Sequence, residues 1–358
     1  MKFVHIADVH FDMPFTSARY SKKIVERRRL DARDVFYDTI SFTKEYGAEM
    51  LFISGDLFEY RSVTSDTINF IISCLKRIPD VQIFIAPGNH DPLLPNSPYN
   101  TFEWPENVTI FTGEVGMFEY DDVVVYGLGF NDFEMDCNLI NEIEVDKSKT
   151  NILVTHGTLD GAMHQYHDIK TADLKKFDYV ALGHIHLPKI DDSRIIYPGS
   201  LVAGGLDEQG EHGLVYGEIS KETCKVDFKA MDKREFKELT FNLTLEDEEK
   251  TPNEIIEKLK LGDDVYRIVF EGVKVSYLQD LINALKKSDK FICDIKDKTK
   301  LVYDLEEIAT HSTLKGVFTK NMLNLLKENP NREEEINRAI ELVYKNMWGE
   351  ICTLKICK

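Results

Sequence analysis

Four short motifs follow one another down the chain: Asp8-Val9-His10, Gly55-Asp56, Gly88-Asn89-His90-Asp91 and Gly183-His184-Ile185-His186, with a lone His156-Gly157 between the last two. Neutral imidazole, carboxylate and amide oxygen make a shell suited to Mn, Fe or Zn, whereas calcium sites avoid His and structural zinc sites prefer Cys. Two such ions about 3.5–4 Å apart clamp the attacking and leaving oxygens of a phosphoryl displacement, and that closeness calls for a bridging carboxylate. Asp56, in the middle of the series, is the natural bridge. It leaves room for a bridging water whose pKa falls toward neutrality between two cations.

The elements that must position these side chains are short apolar runs: Phe3–Ala7, Met50–Ser54, Gln82–Ala86, Asn151–Val154 and Asp178–Leu182. Runs of about five residues, rich in β-branched and aromatic side chains, suit strands covered on both faces. Sheets of this kind offer their chemistry at the carboxyl ends of strands, where all five candidate ligand groups fall. Taken singly, each motif has an ordinary explanation. Asp-Val-His after a strand is a common turn, Gly-Asn-His-Asp reads as an Asx-type turn containing a His, and Gly-His-x-His reads as two edge-strand histidines. The set in order, each member after a strand, is what points to a metal centre.

The motif set resembles the calcineurin-like metallophosphoesterase superfamily. Gly88-Asn89-His90-Asp91-Pro92 and Tyr197-Pro198-Gly199-Ser200 resemble its SbcD/YhaO type of DNA exonuclease, the nuclease-subunit class of double-strand-break repair. The likeness is strong over residues 1–232 and only architectural beyond. It implies an α/β fold: a four-layer αββα sandwich with a small α/β capping domain and a helical C-terminal tail. Carried over, it puts Asp8, His10, Asp56 and His186 on a first metal, and Asp56, Asn89, His156 and His184 on a second. His90 stays unligated, where it contacts the phosphate and assists the leaving oxygen, with Asp91 to orient it. The two divalent ions implied are Mn first, with Fe or Zn as alternatives. One departure is Glu59: several family members carry a His three positions after the bridging Asp, and SbcD types carry an acidic residue.

Other histidines read differently. His5, inside the first strand pattern, is expected to be a hydrogen-bonded core residue, and His164 and His167 are expected to be solvated loop residues. His212 and His311 lack supporting context.

A chain of 358 residues with 43% hydrophobic content suggests two or three domains. No apolar stretch approaches the roughly 20 residues that span a bilayer, and the chain starts on a charged strand, so no membrane association and a cytoplasmic location are expected. Six cysteines without a CxxC pair fit a reducing compartment. The balance of 62 acidic against 44 basic side chains, net −18, is unfavourable for a free-standing DNA binder. One basic cluster stands out: Arg19, Lys22, Lys23, Arg27, Arg28 and Arg29. It reads either as a solvated helix start or as a nucleic-acid contact, with Arg19, Arg27 and Arg28 as the residues that would hold a phosphate backbone.

Pattern changes divide the chain. Gly213–Ile219 and Lys225–Met231 read as the closing hairpin of a first domain, 1–232. Residues 236–298 read strand, helix, strand, helix, strand, with Pro252 as a helix start, and match in size the capping domain of the resembling nucleases. Beyond residue 300, Leu301–Leu305, Leu314–Leu326 and Ile336–Trp348 space apolar residues by three and four as helices do, broken at Asn329-Pro330-Asn331. The segment 301–358 would pack on the first domain, form a homodimer contact, or dock on an SbcC-like coiled-coil ATPase, as equivalent tails do in the family. The leading functional expectation is hydrolysis of DNA phosphodiesters, as exonuclease or endonuclease, by in-line attack of a metal-bridging hydroxide. The alternative is a small-molecule or nucleotide phosphodiesterase or phosphatase on the same metal core. A third reading is a scaffold subunit whose activity is secondary to a partner ATPase.

Overall fold

The computed structural model describes residues 1–14, 20–135, 139–161, 166–190, 194–348 and 352–355. It divides into two compact units, Met1–Phe236 and Lys237–Lys358. The first is a double sandwich. Strand β1 (Lys2–Ile6) is followed by helix α1 (Lys22–Tyr46), β2 (Met50–Ile53), α2 (Ser65–Leu75), β3 (Gln82–Ile85), the short α3 (Pro98–Thr101) and β4 (Val108–Ile110). The second sheet takes β5 (Gly116–Tyr120), β6 (Val123–Leu128), β7 (Thr150–His156), β10 (Tyr179–Gly183) and β11 (Ile195–Ile196). Between them in sequence come the two-residue pair β8 (Thr158–Leu159) and β9 (Asp168–Ile169) and the short α4 (Thr171–Leu174). The chain then returns to the first sheet through the hairpin β12 (Gly213–Ile219) and β13 (Cys224–Ala230), giving the orders β13-β12-β1-β2-β3-β4 and β11-β10-β7-β6-β5.

Period-two alternation sorts the side chains into three apolar layers. Phe3, Met50, Phe52 and Phe84 meet Val125, Ile152, Val154, Tyr179 and Ala181 between the sheets. Their strand neighbours Val4, Ile6, Leu51, Ile53, Ile83 and Ile85 pack under Val35, Phe36, Ile40, Ile68 and Ile71 of α1 and α2. The outer face of the second sheet, Tyr126, Leu128, Leu153, Val180 and Leu182, is covered by Ile140, Leu174 and Phe177. Strands β1, β2 and β3 run parallel, as do β6, β7 and β10. Their carboxyl ends therefore open on one side.

The first helix exposes Lys22, Lys23 and Arg29, as a solvated helix start does, but not Arg27 and Arg28. Arg28 is 1% exposed, its guanidinium paired with Asp232 at 2.6 Å and with Asp31 at 3.3 Å, and donating to the Ala203 carbonyl at 2.9 Å. Arg27 is held by Asp31 and Asp34. Neither is an open phosphate contact: Arg27 closes on carboxylates of its own helix, and Arg28 on Asp232, 204 residues away. Arg19 lies outside the described residues.

In the second unit, β14 (Phe236–Leu243), α5 (Pro252–Leu259), β15 (Val265–Gly272), α6 (Leu278–Lys287) and β16 (Phe291–Asp297) form a three-stranded sheet, order β14-β15-β16, with its own apolar cluster. Thr251 caps α5 and Pro252 fills its first turn. A separate cluster built on Leu305, Leu323, Ile336, Ile340 and Tyr344 joins α7 (Leu305–Ile308), α8 (Leu314–Glu328) and α9 (Glu333–Trp348). The stretch expected to be helical at its start is strand β17 (Leu301–Asp304), paired in parallel with β18 (Cys352–Lys355). Periodicity cannot separate helix from strand over five residues, and the deciding partner lies about fifty residues downstream. Among the described residues no helix is long and apolar enough to cross a membrane.

Removing one member of a buried charge pair leaves the other desolvated, so Arg28→Ala is expected to destabilise the protein by about 3–5 kcal/mol. Urea denaturation reads this directly. An unchanged midpoint would show that the guanidinium is not structural.

Candidate metal centre

Each motif sits where a central strand ends. Asp8 and His10 follow β1, Asp56 follows β2, Asn89 and His90 follow β3, His156 closes β7, and His184 and His186 follow β10. The first two loops are laced together: Asp8 N–H donates to the Gly55 carbonyl, and His10 N–H to the Asp56 carbonyl at 2.9 Å. Backbone φ is positive at Asp8 (51°), His10 (49°), Asp56 (51°) and His184 (102°). Non-glycine residues seldom adopt that region, and they hold it where the surroundings over-determine them. Here the turns aim four side chains back over the strand ends.

The seven expected ligands converge. His10 Nε2 stands 3.1 Å from His186 Nε2. His156 Nε2 lies 3.0 Å from Asn89 Oδ1, and His184 Nδ1 lies 3.2 Å from that oxygen and 3.3 Å from His156 Nε2. One oxygen, Asp56 Oδ2, faces both groups, 3.6 Å from His10 Nε2 and 3.4 Å from His156 Nε2. Its other oxygen accepts from His90 N–H at 2.8 Å. Both Asp8 oxygens accept from His184 N–H, and Oδ1 lies 4.0 Å from His186 Nε2.

This donor set fits divalent cations. Two atoms bound to one ion at about 2.1 Å and near-octahedral or tetrahedral angles lie about 3.0–3.4 Å apart, the spacing seen among Asp56, Asn89, His156 and His184 and between His10 and His186, while Asp56 and Asp8 stand slightly further off, from His10 and His186, at 3.6 and 4.0 Å. The proton positions point the same way. His156 Nδ1 donates to the Ser54 carbonyl at 2.9 Å, and burial holds the ring's pKa well below its ordinary value. Its Nε2 lone pair therefore faces two further acceptors, Asn89 Oδ1 and Asp56 Oδ2. His10 Nδ1 lies 2.8 Å from Glu59, and His186 Nδ1 lies 2.7 Å from Glu208. These carboxylates accept hydrogen bonds from Nδ1–H, as partners of metal-bound imidazoles do, and turn both Nε2 atoms toward one point. Convergent acceptors need a proton or a cation between them.

Sequence reasoning missed Glu208 and misjudged its neighbours. Glu208 also accepts from Ser200 Oγ (3.0 Å) and Gly204 N–H (2.8 Å), while buried His212 bridges Ser200 Oγ (2.8 Å) and the Glu208 carbonyl (2.9 Å). The Tyr197-to-Ser200 motif thus supports His186 through a carboxylate that no spacing rule announced. His167, expected in solvent, is buried, with Nδ1 3.0 Å from the His156 carbonyl. His164 lies outside the described residues. His5 is the core histidine expected, joined to Tyr179 and Ser54 at 3.0 Å and held neutral by burial, its pKa about 3.

Asp91 does not orient His90. Its oxygens accept from the backbone N–H groups of Asp56 (3.0 Å), Leu57 (2.7 Å) and Gly88 (2.6 Å) and from Tyr99 OH (2.6 Å), which ties the loop after β2 to the loop after β3. The group on His90 is Glu59, whose Oε2 lies 3.0 Å from His90 Nδ1 while Oε1 serves His10. Burial opposes the Glu59 charge, but hydrogen bonds from the two imidazoles outweigh it and hold the carboxyl at about 2. The Glu59 hydrogen bond in turn lifts His90 to about 9. Its side chain is 46% exposed, and its ring stands edge-on to that of His10 with centroids 4.8 Å apart.

Burial raises the Asp8 carboxyl to about 7, and burial with the neighbouring Asp91 charge raises Asp56 to about 7. His186 is lifted to about 9, burial being outweighed by its bond to Glu208. Cations bind the deprotonated forms, so loading must release protons and affinity must rise with pH across this range. Calorimetric Mn titrations in buffers of different ionisation enthalpy are expected to show proton release, with weaker binding at about pH 6 than at about pH 8. Binding without proton release, or tighter binding in acid, would contradict this protonation scheme.

Residues 1–188 match the family described as Calcineurin-like phosphoesterase. Relatives include the uncharacterized metallophosphoesterase YhaO of Bacillus subtilis, 28% identical over 62% of this chain and 59% of its own length. The DNA double-strand break repair protein Mre11 of Archaeoglobus fulgidus is 23% identical over 95% of this chain and 84% of its own length. The Mre11 protein of Methanocaldococcus jannaschii is 28% identical over 56% of each. The chain therefore spans little more than half the length of two of these three relatives. With the sandwich, the strand-end ligands and a match over more than half its length, the chain belongs to the calcineurin-like phosphoesterase family, metal-dependent hydrolases of phosphoesters.

Proposed function

We propose that this protein is a two-metal DNA phosphodiesterase of the repair-nuclease type, an exonuclease or endonuclease that uses Mn, with Fe or Zn as alternatives. The observation that carries the two-metal reading is Asp56 Oδ2, within 3.4–3.6 Å of ring nitrogens from two separate histidine groups. Asp8, His10, Asp56 and His186 would hold one ion, and Asp56, Asn89, His156 and His184 the other. The bound ions supply Lewis acidity toward the phosphate and an acidified water as nucleophile. The chain's own residues do the rest. Glu59 fixes the His90 ring, and the protonated His90 donates to a phosphate oxygen and then to the departing alkoxide. Burial of the ligand set keeps bulk water from the carboxylates.

The choice of DNA is supported by relatives whose names refer to DNA double-strand break repair. The proposal extends to a capping domain over 236–298, and to a helical segment, 301–358, that meets an SbcC-like coiled-coil ATPase or a second copy of this chain in the cytoplasm. A partner would also supply basic surface, since Arg27 and Arg28 are neutralised internally. That neutralisation and the net charge of −18 favour a second reading, a nucleotide or small-molecule phosphodiesterase on the same centre.

Mn-loaded protein incubated with labelled single- and double-stranded DNA and with cyclic or linear nucleotides decides between the two. Activity on DNA is expected, and activity confined to nucleotides would favour the second reading. His90→Ala is expected to lower kcat by roughly 10²–10⁴-fold with metal content retained. Glu59→Gln should cost roughly 10–100-fold. Wild-type kcat in Glu59→Gln would remove Glu59 from the proposed chemistry.

A further inference from the structure

Tyr60 and Phe133 stand beside the metal centre on loops that already serve it, yet the chemistry above uses neither. Tyr60 follows the carboxylate that holds His90, and its backbone N–H donates to the His90 carbonyl at 2.9 Å. Phe133 shares a loop with Phe130, whose ring meets His156 edge-on with centroids 5.7 Å apart. The Tyr60 and Phe133 rings are both half-buried and meet at 5.9 Å and 74°. Over Phe133 lies the guanidinium of exposed Arg61, 4.8 Å from the ring centroid. Arg27, Arg28 and Arg33 are neutralised by carboxylates. Among the described residues no carboxylate pairs with Arg61.

A half-buried pair of aromatic rings, one carrying a guanidinium that no described carboxylate neutralises, matches one ligand unit well. Aromatic rings stack any nucleobase, and the guanidinium fork offers paired donors to phosphate oxygens. In a chain of net charge −18, an unneutralised cation next to the reaction centre also offsets local repulsion of a polyanion. A paired base keeps its faces against its neighbours, so only an unstacked one can lie on such rings. Resting on the DNA reading above, we infer that Tyr60, Phe133 and Arg61 form a ledge that takes up an unpaired nucleobase and its phosphate beside the scissile bond.

The test uses the Mn-loaded full chain with a single-stranded oligodeoxynucleotide and with the same strand carrying base-free residues at its end. The base-bearing strand is expected to show a KM roughly ten-fold lower. Phe133→Leu keeps apolar bulk but no π face, and should erase that difference with kcat retained. Phe133→Trp should restore it, and Arg61→Gln should raise KM on both strands. Equal KM values for the two strands in the wild type, or equal losses on both strands in Phe133→Leu, overturn the ledge. Should neither strand be hydrolysed, the DNA reading has failed on its own. Fluorescence titration of the same pair then decides the ledge: preferential binding of the base-bearing strand, lost in Phe133→Leu, supports it, and equal binding overturns it.

Discussion

The structure is organised around buried carboxylates that, among the described residues, pair with no Lys or Arg. Asp8 and Asp56 are at most 1% exposed, and within the described residues their hydrogen-bond donors are the His184 and His90 backbone amides. A desolvated carboxylate without a counter-ion is costly and either takes up a proton or recruits a cation. Acquiring protons is what the raised pKa values of Asp8 and Asp56 describe, and binding divalent ions is the other solution the same geometry permits. Glu59 and Glu208 extend the logic outward, because each fixes one imidazole so that its second nitrogen joins the acceptor cluster.

Holding such a cluster together requires a stiff frame. The two sheets come close together at the carboxyl ends of β2 and β10, where a Cβ on Gly183 would fall on the Ser54 carbonyl oxygen. Gly88 is similarly confined, since a side chain there would collide with the Asp56 carboxylate. Left-handed backbone at Asp8, His10, Asp56 and His184 is local strain that the packed strands beneath sustain. Asp91 completes the frame by binding three backbone amides, which makes it a structural clamp between two ligand loops.

The sequence reveals most readily what is local. Apolar runs of β-branched and aromatic residues mark β1, β2, β3, β7 and β10, and the ligands follow them because chemistry gathers at the ends of parallel strands. Contacts between residues distant in sequence were hidden. Arg28 reads as surface charge until Asp232 closes over it, Glu208 reads as a loop residue until it meets His186, and Asp91 sits next to His90 in sequence while its carboxylate faces the backbone behind. Leu301–Asp304 fails for the same reason, since its strand partner lies at Cys352–Lys355. Glu59 was visible as an unusual residue, but only the fold shows it shared by His10 and His90.

The central claim is that one oxygen of Asp56 joins two metal sites. Electron paramagnetic resonance of the Mn-titrated protein tests it most directly, because two Mn ions sharing a bridging ligand are magnetically coupled. The account predicts two Mn per chain with a coupled multiline spectrum that Asp56→Asn converts to that of isolated ions. A single Mn per chain, or two ions that remain uncoupled in the wild type, would contradict it.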